Sequence, residues 1–181
     1  MRFPNICLCG VLVLAASVVG LAQANKAKTP ARPAKPAHFI IAPDAVKWVA
    51  PPAGMITGTP SVERGSPLRY AVLEGDPTKA GQPYTIELGL SDGDKVAPHW
   101  HPGDENIIVT QGTFRIGTGD TYDPAALHDM GAGSYAFMPR RVHHFGSCKG
   151  ETRILVYGTG PFQINFLGPS GGAQKKPAAK Y

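Results

Sequence analysis

The stretch GDKVAPHWHPGDENIIVTQG, residues 93–112, carries the strongest structural signal in this chain. Residues 95–101 have the pattern of a β-strand, in which side chains alternate between two faces, so His99 and His101 point the same way. Their Cα atoms are then roughly 6.6 Å apart. Both rings can therefore approach one metal ion at the usual nitrogen–metal distance of about 2.0–2.1 Å.

The residues that follow supply the remaining candidate ligands. Pro102-Gly103-Asp104 predicts a turn, which brings Glu105 back beside the two histidines as an oxygen ligand. Asp104 is the alternative carboxylate, although it belongs to the turn itself. A further ligand must come from a distant strand, where His143 and His144 are the candidates. Because neighbouring side chains in a strand face opposite ways, only one of these two can point inward, and the pattern does not choose between them.

Residues 93–112 resemble the first motif of the cupin family. That motif has a glycine, five residues, His-x-His, three residues, a glutamate, six residues and a glycine. The matching positions are Gly93, His99, His101, Glu105 and Gly112. The resemblance implies an all-β, antiparallel jelly-roll barrel with one bound divalent metal ion.

Residues 133–148, GSYAFMPRRVHHFGSC, resemble the second cupin motif, in which a glycine, a proline and a histidine precede an asparagine. This resemblance selects His144 over His143 as the ligand. The implied metal site is His99, His101, Glu105 and His144. Two positions depart from the motif, because Arg141 stands where it has a glycine and Cys148 where it has an asparagine.

The remaining pattern also predicts an all-β domain. Short β-rich runs alternate with Gly, Pro, Asp or Asn, and no stretch shows helical spacing of apolar residues. The predicted strands are 69–73, 84–90, 95–101, 106–110, 113–117, 135–138, 143–147, 152–157 and 162–167. Residues 38–68 are Pro-rich, and we expect an edge strand and loops around Trp48.

Both ends of the chain differ in composition from the middle. Residues 1–24 have Arg2, an apolar run and the triplet Ala22-Gln23-Ala24, which together are typical of an export signal. Residues 25–37 are a Pro/Ala/Lys linker expected to be disordered, and 170–181 form a flexible basic tail. A single cupin domain is expected over 38–169, and a periplasmic or secreted location follows from the leader.

The net charge of +5 does not indicate nucleic-acid binding. Eight of the 18 Lys and Arg residues lie in the leader and the two tails, whereas all 13 acidic residues lie in the expected domain. The domain is therefore mildly acidic, without a basic stripe. With the leader removed, no membrane span is expected, and Cys148 is the single remaining cysteine, so an internal disulfide is excluded.

A metal held by three neutral imidazoles and one carboxylate keeps open coordination positions, which favours enzyme chemistry. We expect a dioxygenase or decarboxylase that acts on a small organic acid or phenolic compound, with Arg140 and Arg141 as candidate anion-binding residues. Iron or manganese is the expected ion, and zinc, nickel and copper are alternatives. The competing function is a non-catalytic periplasmic protein that binds a metal or a small ligand. Many cupins dimerise, so a homodimer is a further expectation.

The exported protein should begin at Asn25, because the small residues at Ala22 and Ala24 form the processing signature. Intact-mass measurement of the protein recovered from the periplasm or medium checks this. A mass that includes residues 1–24 would contradict the predicted cleavage.

Overall fold

Nine β-strands dominate the part of the chain that the computed structural model describes, residues 39–168. They are β1 (Ile56–Thr57), β2 (Arg69–Gly75), β3 (Pro83–Leu90), β4 (Lys95–Trp100), β5 (Glu105–Thr118), β6 (His128–Gly131), β7 (Tyr135–Met138), β8 (His144–Thr159) and β9 (Ile164–Phe166). The all-β prediction is confirmed. The predicted leader 1–24, linker 25–37 and tail 170–181 lie outside the described residues.

Helical structure is minor in this part of the chain. Two 3₁₀ turns occur, at Pro43–Ala45 and Pro124–Ala126. Nothing helical within residues 39–168 has the length and apolar character needed to cross a bilayer.

Strand β8 organises the sheet into a barrel. One edge of β8 pairs with β5 along most of its length. The other edge pairs first with β4, over residues 144–147, and then with β3, over residues 152–159. Because β8 passes from one group of strands to the other, the single curled sheet folds over on itself and encloses a core.

Strands β5 and β8 are longer than the sequence predicted. The predicted pairs 106–110 with 113–117 and 143–147 with 152–157 are each one continuous strand. The register between β5 and β8 shifts on both sides of Gln111, which marks a β-bulge. Gly112 has φ 71° there, so the glycine allows a bulge that bends the strand at the point where two separate strands were predicted.

The core consists of inward-facing aliphatic side chains on neighbouring strands. Ile86 on β3, Val156 on β8 and Ile107 on β5 lie side by side across three strands. Their relative exposures are 0%, 0% and 2%. Removing this apolar surface from water supplies most of the stabilisation of the barrel.

The segment before β2 covers the outside of the barrel, as predicted. Val49 forms an isolated antiparallel bridge with Tyr70. The neighbouring Trp48 ring lies between two guanidinium groups, with Arg69 and Arg153 at 5.4 and 5.1 Å from its centroid. These cation–π contacts hold the segment against β2 and β8.

Strand β6 was missed in the sequence, where residues 121–133 had the composition of a loop. It pairs with β5 between Thr113 and Ile116. Asp129 on β6 accepts hydrogen bonds from Arg115 and Lys149 at 2.8 and 2.6 Å. The cross-strand partners, rather than local sequence propensity, define this strand.

The turn before β8 contains a residue in the left-handed region. Arg141 has φ 62°, the single positive φ of a non-glycine residue in the described chain. Its backbone N–H donates to the carbonyl of His101 at 2.9 Å. The turn therefore keeps the geometry that a glycine would give it, at a steric cost from the Cβ of Arg141.

Arg141→Gly should raise the free energy of unfolding by about 0.5–1 kcal/mol, because relief of the left-handed strain exceeds the added entropy of the unfolded chain. Urea denaturation measures the difference. Arg141→Ala is the matched control, since it removes the guanidinium and keeps the Cβ, and it should give no stabilisation. If both variants are stabilised equally, the charge of the Arg141 side chain, and not its backbone conformation, destabilises the wild type.

Candidate metal centre

Four buried side chains meet where three strands begin or end. His99 lies on β4, His101 follows the end of that strand, Glu105 begins β5 and His144 begins β8. His99 and His144 are direct cross-strand partners. The relative exposures of these four residues are 6%, 4%, 4% and 3%.

The three histidines form a compact group that can hold a metal ion. One ligand nitrogen from each of His99, His101 and His144 lies within 4.8 Å of the others. Glu105 joins this group from one side: its Oε2 atom is 3.3 Å from Nε2 of both His101 and His144. Imidazole nitrogens with one carboxylate suit iron, manganese, zinc, nickel or copper.

Backbone carbonyls orient all three rings. Nδ1 of His99 lies 2.8 Å from the carbonyl oxygen of Ala97, and Nδ1 of His101 lies 2.6 Å from that of Gln163. Nδ1 of His144 lies 3.0 Å from the carbonyl oxygen of its near neighbour, Val142. Since a carbonyl only accepts, each Nδ1 carries a proton, and the Nε2 atom of each ring has a free lone pair when the imidazole is neutral. This is the arrangement found around metal-ligating histidines.

Two buried polar atoms in the group lack a hydrogen-bond partner. They are Nε2 of His101 and Oε2 of Glu105, whose 3.3 Å contact does not have hydrogen-bond geometry. Buried polar atoms are nearly always satisfied. Unsatisfied lone pairs that converge on one point, with the opposite ring nitrogens already bonded, fit a bound cation.

Burial and neighbouring charges set the ionisation of the group. Burial, followed by the charges that His144 and His101 carry when protonated, holds the pKa of His99 well below its usual value. Burial alone would raise the pKa of Glu105, but the charges of His101 and His144 outweigh it and hold that pKa well below its usual range. The group thus offers a neutral imidazole and an ionised carboxylate, the forms that ligate metals.

A cavity of about 420 Å³, counting the part open to solvent, lies beside the group. His99, His101, Glu105 and His144 all contribute to its wall. The rest of the lining is apolar except for Arg64, with Leu90, Val96, Phe114, Ile154 and Phe162 among the apolar residues.

Several solved structures are similar in fold to this chain. An acetylacetone dioxygenase from Acinetobacter johnsonii is 17% identical, with a TM-score of 0.53 over 77% of this chain and 83% of that one. A proposed acetylacetone dioxygenase from Methylibium petroleiphilum PM1 is 19% identical, with a TM-score of 0.52 over 77% and 87%. An RmlC-like cupin from Shewanella frigidimarina NCIMB 400 is 14% identical, with a TM-score of 0.46 over 68% and 91%.

The chain has the cupin fold. At these identities the similarity concerns the fold alone. No protein-family model matches the sequence, and no curated protein matches it either.

The other residues singled out in the two cupin motifs lie outside the histidine group. Nδ1 of His143 is 2.7 Å from Oδ1 of Asp120, on the exposed side of the barrel. Asp104 faces away from the group and accepts a hydrogen bond from the backbone N–H of Arg140 at 2.8 Å. Cys148 is a buried free thiol in the core, and burial raises its pKa to about 11.

Arg140 and Arg141, the expected anion-binding residues, are both exposed and neither lines the cavity. Nε of Arg140 is 3.4 Å from Asp104 Oδ1, and its side chain is 70% exposed. Arg64 is the arginine that lines the cavity. No sequence pattern indicated this role, because Arg64 lies in an irregular segment without a motif.

His101→Ala should lower the affinity for a divalent ion by roughly 100-fold or more, because it removes one of the converging Nε2 lone pairs. Elemental analysis of the purified protein and calorimetric titration with Zn²⁺ measure stoichiometry and affinity. His143→Ala is the matched control and should retain one ion per chain. Wild-type metal content in His101→Ala would contradict the proposed ligand set.

Proposed function

We propose that this cupin is a metal-dependent enzyme that acts on a small organic acid or phenolic compound, with dioxygenase or decarboxylase chemistry. The observation that carries the proposal is the cavity beside the histidine group, whose walls include all four candidate ligands. A site built only to store or to bind an ion structurally would be closed around it. Here the candidate ligands instead face a cavity that is partly open to solvent.

The charge of the site selects anionic molecules. Three neutral imidazoles and the Glu105 carboxylate would leave a divalent ion with a net charge near +1. In an apolar cavity such a charge attracts a carboxylate or phenolate strongly, because the surroundings screen it poorly. The substrate class therefore follows from the ligand set and the walls together.

Few other side chains in the cavity wall can take part in a reaction. Apart from the candidate ligands, Arg64 is the single polar residue of the lining, and a guanidinium is a poor base. Reactions that need a separate general base, such as sugar isomerisation, are thus less well supported. Bound iron or manganese would supply Lewis-acid or dioxygen chemistry at this position.

The protein side chains prepare the site for that chemistry. The three carbonyl-bonded imidazoles hold their Nε2 atoms in place, so little reorganisation is needed. Phe162 stacks on His101 with ring centroids 5.0 Å apart and an interplanar angle of 17°. Together with the aliphatic walls, it keeps bulk water away from the reacting molecule.

Two structures with TM-scores above 0.5 bear the name acetylacetone dioxygenase, one of them as a proposal. Because these two structures are only 19% and 17% identical to this chain, they guide the choice of assay and nothing more. Dioxygen-dependent cleavage of small carbonyl and phenolic compounds is the reaction to test first.

A non-catalytic protein that binds a metal or a small ligand is the second candidate function. The depth of burial of the ligands, none more than 6% exposed, favours it, because such burial slows exchange of the ion. The predicted export leader is compatible with both functions, and we propose a periplasmic or secreted location for either.

Iron- or manganese-loaded protein should turn over at least one member of a panel of organic acids, β-dicarbonyl compounds and catechols, because the cavity admits a small anion beside the ion. Product formation and oxygen consumption are measured with and without dioxygen; a dioxygenase loses activity without it and a decarboxylase does not.

Two variants complete this comparison. Glu105→Ala should abolish turnover, and His143→Ala should keep the wild-type rate. Stoichiometric metal without metal-dependent turnover of any panel member would contradict the enzyme proposal and favour the binding function.

A further inference from the structure

Arg64 lines the same cavity as the histidine group, and its backbone lies beside the start of β4. It belongs to the irregular segment 58–68 between β1 and β2, and its carbonyl oxygen accepts a hydrogen bond from the N–H of Lys95 at 3.2 Å. Lys95 is the first residue of β4, whereas His99 is near its other end. Four residues of strand correspond to roughly 13 Å, so the backbone of Arg64 and the histidine group lie near opposite ends of β4.

The buried carboxylate of Asp94 anchors the segment that carries Arg64. Asp94 is 2% exposed. Its oxygens accept from the N–H and hydroxyl of Ser66 at 3.0 and 2.6 Å, and from the N–H of Ser91 at 2.9 Å. Gly65 has φ 106°, and a Cβ there would come within 3.0 Å of Asp94 Oδ1. The glycine therefore lets the backbone approach Asp94 closely, which holds Arg64 in position.

The guanidinium of Arg64 is left without a direct counter-ion in the described chain. None of the salt bridges within residues 39–168 includes it. Burial lowers its pKa, and the charge of Asp94 opposes this from beyond ion-pair distance. The three hydrogen bonds to Asp94 already occupy that carboxylate. A partly desolvated guanidinium of this kind is stabilised by an anion that enters the cavity.

The walls between the two ends are apolar. Leu90, Val96, Phe114 and Ile154 are among the lining residues, and each is at least nine-tenths buried. The lining thus combines two polar features, Arg64 and the histidine group, with apolar walls, which suits a ligand that has both polar and apolar parts.

We propose that Arg64 binds the carboxylate of the substrate, which is an amphipathic monocarboxylic acid whose far end carries the oxygen that reaches the metal centre. The assignment rests on the proposed function, because it names the substrate class of the same cavity. The planar guanidinium fork pairs with both carboxylate oxygens, so Arg64 selects an acid over an uncharged analogue and orients its apolar body toward the histidines.

The test uses 3-(4-hydroxyphenyl)propionate and its uncharged amide as probes, with protein loaded with redox-inert Zn²⁺ so that no turnover occurs. Calorimetric titration gives the affinity of each probe for wild type, Arg64→Met and Arg64→Lys. Arg64→Met should weaken binding of the acid by about tenfold or more and leave binding of the amide unchanged. Arg64→Lys should recover part of the loss, since it keeps the charge and loses the fork.

Arg140→Gln is the matched control, because it removes an arginine outside the cavity and should bind both probes like wild type. The proposal is overturned if wild type binds acid and amide equally, if it binds neither probe, or if Arg64→Met weakens both equally. Zinc content measured on the same samples separates failure of the Arg64 proposal from failure of the metal centre that the proposed function requires. A chain that holds zinc normally but lacks Arg64-dependent selectivity refutes only the role of Arg64, whereas a chain that holds no zinc refutes the metal centre.

Discussion

The pairing of His99 on β4 with His144 on β8 is the contact on which the rest of the site depends. It joins two segments far apart in the chain, and β5 completes it from the other side through Thr118 opposite His144. Side chains alternate along each strand, so a slip of β8 by one residue would turn His144 outward and His143 inward. The bulges in β5, which absorb the register shift farther along the strand, are therefore part of the geometry of the metal centre.

The same β4–β8 register also fixes the orientation of the three histidine rings. The three carbonyls that accept from the histidine Nδ1 atoms belong to β4, to the turn before β8 and to the residue before β9. Hydrogen bonds to the protein backbone cost little to maintain once the strands have formed. The lone pairs that face the cavity are consequently set by folding, and a bound ion would add to a site that is already arranged.

Local patterns in the sequence predicted those site residues whose position depends on the alternation of side chains along a strand. His99, His101 and Glu105 follow from a strand, a turn and a returning strand, whereas the choice of His144 required the second motif. Arg64 could not be predicted, because its place depends on hydrogen bonds between Ser66 and Asp94, which are 28 residues apart. The continuity of β5 was missed for a related reason, since Gly112 indicates a turn locally and a bulge only when β8 lies beside it.

The candidate ligands and Arg64 both lie beside β4, but different kinds of structure hold them in place. The histidines lie on β4 and β8, where the sheet hydrogen bonds leave little freedom, and Arg64 lies on a segment attached to β4 by one backbone contact and by Asp94. Changes in segment 58–68 can therefore alter which molecule enters the cavity without moving the candidate ligands. Under the proposals made above, the strands would hold the ion and the separate segment would contact the substrate, a division that allows one barrel to serve many reactions. In this chain, selectivity is accordingly expected to depend on the segment and reactivity on the strands.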